Sequence, residues 1–510
     1  MICIAIAKFI QFPVPMKYQH QPVATLSGFR ANHSEPATPT QMNNKTVRTL
    51  KLPRLLSLLT LIVFATSSCR TGQMSSAPTT RWVITDHGAV ADGATLNTKA
   101  IQGTIDQCAA SGGGVVVVPK GVFISGAVFF KPHVNLLIEK DGVLKGSTNP
   151  DDYPQVQTRW EGTERVWTSA FVNFFNMTGV TLSGEGMIDG SGTEFSRGGP
   201  PRRPPSTNAQ AVATSPQTNN AARGGGPGGP GGGGGRPRLI AFQSCQDVRV
   251  SGLHFKDEAS WCLFMVYCTN CLAENLVIRA AHTIPSSDGM DFDSCNHVHV
   301  TGCDIDCNDD CISIKSGKDA DGLRVNRPSE NILIEKTRFG FGHGGVAMGS
   351  EVSGGIRHVE VRDCVAEGNS EVVRFKSQPS RGGVVEDIVY RNIEMKNSQT
   401  AVSFNLAWRM VSPIAPPAKV LTQVRNVRLI NLHGTVNSVG SISGLAGSPV
   451  TDVKFEDCQL TAQRGLTLDH TRDIDTKGLK IDGLTGTPIL LRGDNAPATQ
   501  PSTPTNPPAM

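Results

Sequence analysis

The sequence is short of the features that mark helical, nucleic-acid-binding or membrane-spanning proteins. Aromatic residues make up only 6% of its 510 residues. Neither charge sign dominates: 48 Lys and Arg stand against 44 Asp and Glu, with the signs interspersed. That balance leaves no basic footprint for a nucleic acid, so attraction to an acidic ligand would have to be local to a groove. The apolar run Leu55 to Ala65 is too short to cross a bilayer. Helical spacing of apolar residues shows over one short stretch, from Asn97 through Ile101 and Ile105 to Cys108.

What is present is glycine, 54 residues of it, and many short β-branched segments bounded by Gly, Asn and Asp. This is the pattern of many short strands joined by tight turns. From Gly112-Gly113-Gly114 onward a motif V-x-V-x-G-x-x-φ (φ apolar) recurs. It begins at Val180, Val248, Cys271, Val298, Ile332, Val359, Ile388, Val427, Val453 and Leu479, with starts 23 to 39 residues apart from Val248 on. Strand repeats of this length without helices stack as a solenoid, each coil burying its apolar face on the next. The expected fold class is all-β, a single right-handed parallel β-helix over residues 82–493.

Other segments flank or interrupt it. Lys45, Arg48, Lys51 and Arg54, the Leu55–Ala65 run and Thr66-Ser67-Ser68-Cys69 follow the order of a secretory signal. Residues 1–68 therefore read as an upstream extension plus an export signal, with translation starting at Met42. The site before Cys69 also resembles a lipoprotein cleavage site, which would put a lipid anchor on Cys69. Arg197 to Arg238 is nearly all Gly, Pro, Ala, Ser, Asn and Arg, a composition unable to bury a core, and reads as a disordered insertion at 197–238. Residues 494–510 read as a disordered tail. The 13 cysteines include metal-like spacings at Cys268/Cys271 and Cys303/Cys307/Cys311. The repeat frame instead stacks Cys245, Cys268 and Cys295 on one position and Cys303, Cys364 and Cys458 on another, so they read as small core residues, with one or two disulfides open to an exported chain.

The chemistry lies between Ser286 and Ser316. Aligned on their apolar residues, Gly289–Ser294 falls over Cys311–Ser316, putting Asp288 over Asp310 and Ser287 over Asp309. Two more segments fit the frame: His343 takes the Asp309 row, and Arg374 and Lys376 take the Ser313 and Lys315 rows. Alternate residues of a strand share a face, so a polar, titratable stripe is expected on one outer face. Stacked strands lie about 4.7–4.9 Å apart, and carboxylates that close raise at least one pKa. A protonated carboxyl beside an ionised one can protonate a leaving oxygen and activate water, as glycosidic cleavage requires. Single aspartates in such places often only cap turns, but three with His, Arg and Lys on the same rows exceed that. Arg374 and Lys376 add a clamp suited to a carboxylate-bearing sugar.

Asp288-Gly289-Met290-Asp291, Asn308-Asp309-Asp310-Cys311, Gly342-His343-Gly344-Gly345 and Arg374-Phe375-Lys376 resemble the four signature segments of glycoside hydrolase family 28, the polygalacturonases and their relatives. The likeness runs from Trp82 to about Leu484 and includes Gly184–Gly190 and Gly349-Ser350-Glu351. It implies hydrolysis of α-galacturonosidic bonds with inversion, no metal or other cofactor, and a pectic polysaccharide as partner; a monomer is expected, exported by its leader. Asp309 would be the general acid, Asp288 and Asp310 would hold the water, His343 would tune the acid, and Arg374 and Lys376 would bind the substrate carboxylate. Ser286-Ser287 replace the usual Asn-Thr before the first aspartate. The long turn Gly317 to Pro328 lies beside the groove and could close one end, giving exo action.

Other readings stay open at this level. A calcium-dependent lyase could use the same aspartates as ligands, a rhamnogalacturonan-directed hydrolase could share the motifs, and a glycan-binding solenoid could have no activity at all.

Overall fold

The computed structural model describes residues 80–198, 235–409 and 415–495. The proposed leader at 1–68 and most of the insertion and tail lie outside these residues. Among the described residues, 33 strands join into one sheet network in which every pairing is parallel, and one further pair is antiparallel. The fold is a right-handed parallel β-helix, the hand that parallel crossovers take in nearly all cases.

Each coil contributes about three strands, and each strand pairs with its counterparts one coil before and after. One layer runs through Val172–Phe175, Ile240–Gln243, Leu263–Val266, Met290–Asp293, Ile312–Lys315, Gly344–Met348 and Glu371–Lys376. Because the register holds from coil to coil, like residues stack inside. Phe174, Phe242, Met265, Phe292, Ile314, Met348, Phe375 and Phe404 form one inward row. Phe174 stacks on Phe242 with ring centroids 4.6 Å apart, and Phe375 on Phe404 at 3.9 Å. Cys245, Cys268 and Cys295 form another buried row, and all described cysteines are free thiols in the interior. At the corners the chain turns with positive φ at residues such as Asn275, Asn331 and Asn392, a region that Asn enters at low cost.

The helix Thr98–Ala110 buries Ile101, Ile105 and Cys108 against the strands Gly114–Val118 and Val128–Phe129, where the sequence spacing put it. The motif frame holds from Val180 to Val453 and fails at its last step. Val453 pairs with Ile474, while Leu479 pairs with Cys458, so the final motif begins five residues earlier than its pattern suggests. At the tail, Asn495 still belongs to the fold: its side chain exchanges hydrogen bonds with the backbone N–H and C=O of Thr471 at 2.8 and 2.7 Å.

One element stands apart from the solenoid. Gln155–Trp160 and Thr163–Thr168 form an antiparallel hairpin with positive φ at both turn residues, Glu161 and Gly162, as a two-residue primed turn demands. Trp160 stacks between Trp167 and Trp261 at 4.9 and 4.8 Å. The Arg238 guanidinium lies 4.0 Å from the Phe264 ring centre and 4.9 and 5.1 Å from those of Trp160 and Trp261. Arg238 is 2% exposed and donates to the Arg159 carbonyl. The end of the expected insertion is therefore structured: Arg238 is a core residue of the hairpin's base, because three aromatic faces and a carbonyl replace the water around its charge.

Candidate active site

The four strands that carry the sequence motifs stack in the register read from their apolar residues. Asp291 pairs with Ser313, which pairs with Ala347, which pairs with Arg374. The Gly289 N–H donates to the Asp310 carbonyl at 3.0 Å and the His343 N–H to the Asp309 carbonyl at 2.9 Å. Asp288 thus sits over Asp310, and His343 on the Asp309 row. One carboxyl oxygen from each of Asp288, Asp309 and Asp310 lies within 4.8 Å of the others. His343 Nδ1 is 3.2 Å from Asp309 Oδ1.

The outward face is not the open stripe that alternation suggests. Asp291, Asp293, Asp310 and Ser313 have no exposure, and Lys315 and Lys376 have 3% and 7%. Part of the cover is the hairpin, and Trp261 and Trp408 add to it over Lys315 and Lys376. Arg159 Nη1 donates to Asp293 Oδ1 at 2.7 Å and to Ser294 Oγ at 2.9 Å, fixing the hairpin over the C-terminal ends of the site strands. The turn after the second strand contains a helix, Asp319–Val325, that holds the hairpin from the other side. The Lys318 N–H donates to the Gly162 carbonyl at 2.9 Å, and Asp321 Oδ2 accepts from the Glu164 N–H at 3.1 Å. At the N-terminal ends the site opens: the side chains of Asp309 and His343 are 26% and 49% exposed.

Charge sorts the three aspartates. Burial alone would raise the Asp310 pKa, but Lys376 Nζ at 2.6 Å and Arg374 Nη1 at 2.7 Å hold its carboxylate ionised, well below the usual range. The expected clamp for a substrate carboxylate is therefore already closed on the protein's own Asp310. Arg374 also pairs through Nε with Glu371 at 2.7 Å. Asp288 goes the other way: burial first, then the charges of Asp291 and Asp309, push it well above its normal value. Behind it, burial pushes Asp291 up to about 7 against the pull of Lys315. Lys315 Nζ serves three carboxylates, Glu351 at 3.3 Å, Asp291 at 3.5 Å and Asp288 at 4.0 Å. The Asp309 hydrogen bond raises the His343 pKa against partial burial.

These groups line a cleft of about 340 Å³. Its wall includes residues that carry no mark in the sequence: Glu161 from the hairpin turn, Trp261, and Trp408, whose ring centre is 5.3 Å from Lys376 Nζ. The signal for the hairpin was legible in Val156-Gln157-Thr158-Arg159-Trp160-Glu161-Gly162, alternation ending in a turn glycine. Trp261 and Trp408 sit in loops where nothing in the pattern separates a wall residue from any other. As a donor set for a cation the three aspartates are compromised, since both Asp310 oxygens are engaged by Lys376 and Arg374.

The family model for glycosyl hydrolases family 28 matches residues 230–477. A probable polygalacturonase of Vitis vinifera is 26% identical over 452 residues, covering 86% of this chain and 84% of that protein. An exo-poly-alpha-D-galacturonosidase of Dickeya chrysanthemi is 28% identical over 345 residues, covering 64% of this chain and 57% of that protein. Among solved structures, a hyperthermoactive exopolygalacturonase of Thermotoga maritima superposes with a TM-score of 0.64 at 26% identity, covering 80% of this chain and 92% of that one.

Proposed function

From the premise that this chain belongs to glycosyl hydrolase family 28 and is a glycoside hydrolase, we propose that it cleaves α-galacturonosidic bonds of pectic chains from one end. The observation that carries this reading is the trio Asp288, Asp309 and Asp310 at the open ends of the site strands, with the opposite ends closed by the hairpin. Asp309 is the exposed member and reaches the leaving oxygen as general acid. Asp310, ionised under its two cations, and buried Asp288 hold the water between them. Asp288, whose pKa burial raises, lies beside Asp309. His343, whose pKa the Asp309 hydrogen bond raises, stabilises the carboxylate left when the proton has gone. Arg374 presents positive charge to a uronate, while Lys376 acts through Asp310 by holding it ionised. No metal enters this scheme.

Exo action is supported by Glu161 and the hairpin walling the cleft, and by relatives named as exo-acting. The run ahead of Cys69 supports export. The test is product analysis on defined oligogalacturonates with and without a chelator. Saturated monogalacturonate from the first turnovers, unaffected by chelation, is expected. Mixed oligomers would mean internal cleavage, and unsaturated chelator-sensitive products would mean a lyase.

A further inference from the structure

On the open side of the cleft, Phe341 is 37% exposed, whereas most large apolar side chains among the described residues are buried. Its ring stacks on the His282 imidazole with centroids 4.0 Å apart and planes 17° apart. Asp306 fixes both partners: one oxygen is 2.6 Å from His282 Nε2 and the other accepts the Phe341 backbone N–H at 3.1 Å. An alanine Cβ at Gly340 would lie 2.4 Å from Asp306 Oδ2, so the turn before Phe341 is packed onto the same carboxylate. Both segments of this platform run into the cleft lining. Phe341 stands two residues before His343, within about 7 Å along the chain, and His282 stands four residues before Ser286.

We infer that Phe341, backed by His282 and Asp306, is a stacking subsite for the leaving-side galacturonate units. This rests on the proposed galacturonide hydrolysis. The hairpin blocks the far end, so the rest of the polymer must leave past Asp309 and His343, toward this ring. A galacto-configured pyranose presents its C3, C4 and C5 hydrogens on one face, an apolar patch that an exposed aromatic ring can cover. The His282 layer behind the ring fixes its plane, so little order is lost on binding.

The experiment compares wild type with Phe341→Ala and Phe341→Trp on oligogalacturonates from the dimer upward. In the wild type kcat/KM rises as the leaving side lengthens; Phe341→Ala loses roughly tenfold on longer substrates, mainly through KM, and Phe341→Trp restores it. Equal length dependence in wild type and Phe341→Ala, with both active, overturns the subsite. Absence of turnover on every galacturonate by folded wild-type protein instead overturns the underlying functional reading. A circular-dichroism melt of Phe341→Ala matching wild type separates lost stacking from lost fold.

Discussion

The two faces of the same four strands are buried in different ways. Inward, Met290, Phe292, Ile312, Ile314, Val346, Met348, Val373 and Phe375 pack against like residues one coil away. Outward, Asp291, Asp293, Asp310, Lys315 and Lys376 are buried too, Asp293 against a hairpin contributed from more than a hundred residues earlier and Asp310 under Arg374 and Lys376. The first burial is periodic and apolar. The second is singular and polar, and it leaves uncovered only the strand ends where Asp309 and His343 stand. A solenoid can thus keep a charged site in a low-dielectric setting, where each ion pair acts more strongly than in water, without disturbing the repeat that holds it up.

That contrast predicts where substitutions act. The largest effect belongs to Asp309→Asn. A partly exposed side chain beside a turn, its loss should change stability by about 1 kcal/mol or less while turnover falls by several orders of magnitude. Turnover near wild type in a folded Asp309→Asn protein would move the acid elsewhere.

Next comes a matched pair, one residue from each face. Phe292→Ala removes an inward ring and should cost about 3–5 kcal/mol, read as a lower denaturant midpoint. Lys376→Met replaces an outward cation, yet should cost a comparable amount, because it leaves Asp310 buried with Arg374 as its remaining close cation. It should also depress activity on free and methyl-esterified substrates alike, since Asp310 itself is disturbed. A Lys376→Met midpoint within about 0.5 kcal/mol of wild type is what an ordinary surface site would give, and would show that the outward face is effectively solvated.

The same contrast explains what could be read from the chain. Period-two alternation fixed the register of Met290–Asp293 on Ile312–Lys315, and the cysteine rows followed from the repeat, because both depend on neighbours one coil away. The trio Asp288, Asp309 and Asp310 was legible for the same reason: stacking alone brings it together. Exposure was not legible. Alternation says which way Asp291 and Lys376 point but not what lies over them, and Arg159 on Asp293 is a contact across 134 positions. Arg238 looked like one more arginine of a Gly/Pro-rich stretch until three aromatic rings from separate segments surrounded it. The slip at Leu479 has a simpler cause. The V-x-V spacing recurs within one coil, so Cys458–Thr461 offered Leu479 a pairing as regular as the one Val453 makes with Ile474.

The central claim is that water, held by Asp288 and Asp310, attacks while Asp309 protonates the leaving oxygen. Carboxyl oxygens within 4.8 Å of one another are closer than the separation of roughly 6.5–9.5 Å usual for inverting enzymes, so stereochemistry is the decisive readout. Proton NMR during the first turnovers on an α-linked oligogalacturonate identifies the anomer before mutarotation scrambles it. A single displacement by water gives the β anomer first, as this mechanism predicts. The α anomer first would mean that one of these carboxylates attacks the sugar itself, and would contradict it.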